Sequence, residues 1–272
     1  MVKGSGEYHI VMIFLPVLLY FSVMRLVSVA VVYIAEETGV AVSGTLRQLI
    51  CMSVGLAVIY PLFYLREKKA YREWNDRELA VKAGGWPDPG GIVLSVLTFI
   101  PACCCGNAFV NVINLSGYSE GYGKVAETLY SGSLFLELTA YVLLSPLAEE
   151  ILYRGIVFCR VRRVLGVVPG VITSALLFSI FHANLVQAAY SLFMGVLLGI
   201  FMEYYQNIYI VIIGHGAANL LSVLNTEFGF YDLEKMGYDM YLGIAFASFA
   251  AVLIIAVVMV TKLRKRLNII SK

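Results

Sequence analysis

A small set of side chains in this sequence could act together as acid, base and hydrogen-bond donors, and all of them sit in apolar surroundings. Glu149 and Glu150 lie in Ser145-Pro-Leu-Ala-Glu-Glu-Ile-Leu-Tyr-Arg154, and His182 closes Phe178-Ser-Ile-Phe-His182. His215 and Asn219 lie in Gly214-His-Gly-Ala-Ala-Asn219. An ionisable group at mid-bilayer costs about 3 kcal/mol on insertion scales, so each needs a partner or a task. Glu150 and Arg154 are spaced i, i+4 on a helix and can pair directly. Glu149 faces about 100° away from Glu150. One carboxylate is therefore expected to be braced and the other left free to react. The plainer reading, a purely structural ion pair, is strained by two adjacent carboxylates beside one arginine. His215 and Asn219 share a helical face, and an imidazole N–H with an amide NH2 aimed at one point suits a developing oxyanion. Glu149 and His182 together can polarise a water, the carboxylate taking its proton. A base, a proton shuttle and an oxyanion hole are the parts that hydrolysis of a peptide by water requires. His-Glu-x-x-His does not occur, so the common zinc helix is missing.

The elements that carry these residues are dictated by solvent. Of 272 residues, 60% are apolar and only 14% charged, with a mean hydropathy of +0.82. A soluble domain carries roughly a quarter of its residues as Asp, Glu, Lys or Arg. The pattern predicts an all-α, polytopic membrane protein forming one membrane domain over 1–272, with no nucleic-acid partner. A span needs about 20 apolar residues. Eight candidate spans follow, at 10–34, 46–65, 91–113, 134–157, 167–186, 188–205, 208–224 and 241–260. The first is too long for the apolar core of a signal peptide and is expected to be retained.

Basic residues cluster in alternate loops: Arg66 to Lys82 after the second span, Arg160 to Arg163 after the fourth, and Lys262 to Arg266 in the tail. The other loops carry Glu36, Glu37, Glu120, Glu127, Glu227, Asp232, Glu234 and Asp239, with Arg47, Lys124 and Lys235 as minor cations. The excess of Lys and Arg on one side predicts that both termini are cytoplasmic. Segment 66–90 reads as a short amphipathic helix on the headgroups, followed by a turn at Trp86-Pro87. The cysteines, Cys51, Cys103 to Cys105 and Cys159, have no metal-binding spacing and read as small apolar residues. His9, Arg25, Glu137 and Glu203 sit near span ends or can snorkel, and Gly195-x-x-x-Gly199 permits close helix packing.

In series, Glu-Glu-x-x-x-Arg at 149–154, Phe-x-x-x-His at 178–182 and His-x-x-x-Asn at 215–219 resemble the CAAX prenyl protease and bacteriocin-processing family of intramembrane proteases. The resemblance covers a core of about 134–224 and implies an eight-helix fold. It implies that Glu149 and His182 activate the water, that His215 and Asn219 stabilise the oxyanion, and that Glu150, Arg154 and Phe178 support the site. It further implies a peptide or membrane-protein substrate, of CAAX type or bacteriocin-like, and, for so compact a chain, a prokaryotic plasma membrane. Members have also been described as metal-dependent. Zinc held by Glu149, His182 and His215 is thus a second possibility, although Asn219 is a poor zinc ligand and a metal-free scheme is favoured. Two other classes compete: a proton-coupled transporter, for which no convincing inverted repeat is visible, and a non-catalytic scaffold or immunity protein on the same fold.

Overall fold

The computed structural model describes residues 6–78, 86–112, 127–128, 130–182, 185–229, 231 and 233–270. Lys82, Glu120, Lys124 and Asp232, with the side chain of His9, lie outside the described residues. The described secondary structure is all helical. In chain order it comprises α1 (Gly6–Thr38), α2 (Gly44–Ile59), α3 (Leu65–Glu78), α4 (Pro89–Val112), α5 (Leu134–Glu137), α6 (Ser145–Glu150) and α7 (Cys159–Leu165). There follow α8 (Val167–Ile180), α9 (Leu185–Tyr205), α10 (Ile208–Phe228), α11 (Leu233–Met236) and α12 (Tyr238–Ile270). Wider, π-helical stretches at Tyr60–Tyr64, Leu138–Leu144 and Ile151–Phe158 join α2 to α3, α5 to α6, and α6 to α7.

Among the described residues six helices are long and apolar enough to cross a membrane: Val11–Thr38, Gly44–Asp76, Pro89–Val112, Val186–Tyr205, Ile208–Phe228 and Tyr238–Lys265. The residues of the expected fourth span form the interrupted helical run from α5 to α7, which is not one of those six. The expected fifth is α8, whose 14 residues extend about 21 Å, short of a hydrocarbon core about 30 Å thick. Hydropathy alone could not separate a crossing from a helix that stops partway.

The run from α5 to α7 lies at the centre of the molecule. Every residue from Ile151 to Phe158 is buried, as befits a helix apolar on all sides. Leu152 and Ile156 pack with Tyr20, Tyr64 and Phe178, whereas Phe158 belongs to a second cluster with Phe99, Leu198 and Phe201. The central run thus bridges two apolar cores. The outermost helices α1 and α12 turn most of their surface outward, towards what would be lipid.

Two expectations about charges are corrected. Glu203, expected to reach headgroups, is buried and receives a two-pronged bond from Arg162, at 2.8 Å from Nε and 2.9 Å from Nη2. Glu137 is buried as well. Within the expected 66–90 segment, α3 docks on the protein rather than simply lying on headgroups. On α3, Glu67, Tyr71 and Asn75 form a buried i, i+4, i+8 stripe. Glu67 pairs with Arg160 at 2.7 Å and also with Arg163, and the Tyr71 hydroxyl donates to Gln206 Oε1 at 2.8 Å. The same Gln206 turns the chain from α9 into α10 with a φ of 52°. Few non-glycine residues adopt that conformation. Its side chain is held at both ends, since Nε2 donates to the Glu203 carbonyl at 2.7 Å. Asn207 then caps α10 through Oδ1, which accepts from Tyr209 N at 3.0 Å.

Candidate active site

The central run positions the two carboxylates. Pro146 has no N–H to give the carbonyl of Val142. The neighbouring Ser145 N–H reaches back five residues to Ala140 O, which widens the helix into a π turn. That leaves Tyr141 O without its α-helical donor, and Asn219 Nδ2 of α10 supplies one at 2.8 Å. A π stretch of this kind is often found at functional sites. Here its cause is local, and its effect is to dock α10 in register. Gly216 on α10 allows the approach, because a Cβ there would lie 3.0 Å from Val142 O.

One turn on, Glu149 and Glu150 diverge as their spacing predicts. Glu150 is wholly buried. Its Oε1 accepts from Arg154 Nη1 at 2.9 Å and lies 2.7 Å from His215 Nδ1. Arg154, also wholly buried, donates from Nη2 to Gly195 O at 3.0 Å. That carbonyl is within reach because α9 packs tightly on α8 at this glycine. A Cβ at Gly195 would sit 3.0 Å from Ala175 Cα. The small-residue motif is therefore a packing device that also anchors the arginine.

Glu149 keeps 23% of its side chain exposed, against none for Glu150. Its Oε1 accepts from Ser145 Oγ at 2.6 Å, and its Oε2 lies 3.8 Å from His215 Nε2. The histidine beside Glu149 is thus His215. Among the described residues no ion pair joins Glu149 to His182. His182 sits in the turn just past α8, with Nδ1 2.6 Å from Phe178 O. That bond requires a proton on Nδ1, so in the neutral ring Nε2 is the acceptor.

Phe178 links the parts. Its ring meets His182 edge-on at 4.8 Å, His215 at 5.7 Å and Tyr153 at 5.3 Å between centroids. The Arg154 guanidinium lies 4.7 Å from the same ring, within range of a cation–π contact. All seven residues singled out in the sequence fall in this one neighbourhood. Sequence reasoning missed Ser145 and Tyr141, and read Gly195 only as a packing glycine. Only Ser145 carried a signal, being four residues before Glu149.

The proposed zinc set does not converge here. Among the described residues no group of three or more His, Cys, Asp or Glu side chains is gathered as a metal ion needs. With Nδ1 engaged on Glu150 in His215 and on a backbone carbonyl in His182, the Nε2 atoms are the ones left to face a ligand. No step below is routed through a metal.

The fold and site define a helical membrane protein whose buried ionisable cluster is organised around one partly exposed carboxylate. Residues 131–221 match the family model described as Rce1-like, type II CAAX prenyl endopeptidase. The match covers about a third of the chain, includes all three motifs, and bears out their resemblance to that protease family. No curated protein and no solved structure matches the chain.

Proposed function

We propose that this protein is an intramembrane endopeptidase that cleaves a peptide bond with an activated water. The observation that carries the reading is the asymmetry of the two carboxylates: Glu150 is buried and braced by Arg154 and His215, while Glu149 remains partly exposed beside them. A buried carboxylate with two cationic or N–H partners is suited to orienting its neighbours. A partly exposed one can receive water and take its proton.

Glu149 is the general base in this scheme, its orientation set by the Ser145 hydroxyl. His182, with Nε2 as acceptor, shares the attacking water or carries its proton to the leaving amine. His215 and Asn219 stabilise the tetrahedral oxyanion. Because Nδ1–H of His215 is committed to Glu150, its Nε2 donates only when the ring is protonated, and the Glu150 carboxylate balances that charge. Asn219 keeps one amide hydrogen for the oxyanion while the other holds Tyr141 O. Phe178 sets the spacing between the two histidines.

The catalytic core in this reading spans about 134–224 of a single membrane domain, with eight membrane-inserted segments when the central run and α8 are included. Both termini are cytoplasmic, and the membrane is a prokaryotic plasma membrane. The substrate is a membrane-associated protein or peptide, of CAAX type or bacteriocin-like.

The test is cleavage of quenched fluorescent peptides, with and without a prenyl group, by the detergent-purified protein. Wild type should cleave, and Glu149→Gln and His182→Ala should abolish cleavage while remaining folded. Full activity in both variants would refute the assignment. Undiminished cleavage in a strong chelator is expected of the metal-free scheme. Proton flux in liposomes, with no cleavage of any peptide, would favour a transporter instead.

A further inference from the structure

A second candidate site lies where α3 and α10 meet the central run. It consists of two neighbouring cavities of about 580 and 520 Å3 that share Tyr64, Lys68, Ile208 and Tyr209. Each falls within the usual size range of small-molecule sites, about 300–1,000 Å3. Met202 and Ile213 complete an apolar wall in the larger one, and Gly155 and Cys159 of the central run form part of its lining. Its polar residues Gln206 and Asn207 are already engaged, with Tyr71 and with the first turn of α10.

Charge distinguishes the rim. Lys68 and Arg72, spaced i, i+4 on α3, both line the larger cavity. The nearby cations of the central run have carboxylate partners, Arg162 its own in Glu203, while Arg160 and Arg163 share Glu67. Among the described residues no carboxylate forms an ion pair with Lys68 or Arg72. Beside them Trp86 is 98% exposed and also lines the cavity. An indole at such a rim is suited to the headgroup level of a bilayer.

We propose that this cleft binds an anionic phospholipid, its phosphate between Lys68 and Arg72 and an acyl chain along the apolar wall. A zwitterionic lipid would leave the two cations without a net counter-charge. A small soluble anion would make no use of the apolar wall. The site is independent of the proteolytic reading, since no member of the catalytic cluster lines it.

The test uses Trp86 as reporter. The full chain carrying Trp74→Phe, which leaves Trp86 as its sole tryptophan, is placed in phosphatidylcholine nanodiscs. These contain phosphatidylglycerol or phosphatidylcholine with brominated acyl chains, which quench a nearby indole. Brominated phosphatidylglycerol should quench Trp86 at roughly thirtyfold lower mole fraction, since two basic side chains each favour an anionic surface by about 1.7 RT. That preference should vanish in Lys68→Gln/Arg72→Gln and persist in Lys262→Gln/Arg264→Gln, which removes exposed cations from α12. Equal quenching by both lipids would overturn the proposal, as would a preference unchanged in Lys68→Gln/Arg72→Gln. Complete displacement by millimolar inorganic phosphate would reduce the site to an anion site without an acyl chain and would also overturn it.

Discussion

Glu150 Oε1 lies 2.7 Å from His215 Nδ1, although the residues are 65 positions apart, and the same oxygen holds Arg154. One buried carboxylate therefore fixes the orientation of two cationic or N–H groups on different elements. Removing it leaves both without their acceptor, a loss of about 3–5 kcal/mol when one partner of a buried pair is deleted. Glu150→Ala should lower the thermal midpoint in detergent sharply. Glu150→Leu combined with Arg154→Met should recover much of the loss, because the uncompensated guanidinium is gone. A Glu150→Ala midpoint equal to wild type would mean the pair contributes nothing to the fold.

Asn219 has a structural bond to Tyr141 O and a proposed catalytic one to the oxyanion. Losing one oxyanion donor typically costs about 10²- to 10³-fold in kcat. Asn219→Ala is expected to show such a fall with KM little changed, in steady-state cleavage of the best peptide found. A change confined to KM would place Asn219 in substrate binding instead.

Pro146 offers a test of the π turn. Pro146→Ala restores an N–H that can bond Val142 O and draws the stretch towards an ordinary α-helix. Activity should fall while the thermal midpoint holds or rises, since alanine is the better helix former by about 3 kcal/mol. Unchanged activity would show that the wider turn is incidental to the site.

Gly195→Ala places a methyl group 3.0 Å from Ala175 Cα. Helices α8 and α9 must then separate, and the carbonyl that anchors Arg154 moves with them. Overpacking of this kind costs about 1–3 kcal/mol, so both midpoint and activity should drop. Gly243→Ala is the control. A Cβ there meets nothing within 4 Å, and its midpoint should stay level or rise slightly.

Legibility in the sequence followed chain distance. The Glu150–Arg154 pair and the shared face of His215 and Asn219 could be read because an α-helix converts a spacing of four into proximity. The Arg162–Glu203 pair joins residues 41 apart, and no periodicity links them, so Glu203 read as a residue reaching for headgroups. His182 was placed late in a full span because hydropathy continues past Ile180, whereas the helix stops there. Nor did any spacing in the sequence show that His215 Nε2 lies 3.8 Å from Glu149 Oε2. Amphipathic α3 was legible as a helix. Its docking face was not, because Glu67 and Asn75 look like solvent-facing residues until Arg160 and Arg163 approach from the central run.

The widened turn at Leu138–Leu144 holds one residue more than an α-helix would need between the same end points. Deleting one residue inside it would close the turn into a regular α-helix between those same end points, so Glu149 would keep its orientation. What would go is the spare carbonyl on which Asn219 docks, because a helical donor would then satisfy it. The extra residue therefore serves the partner helix α10 more than the helix that contains it.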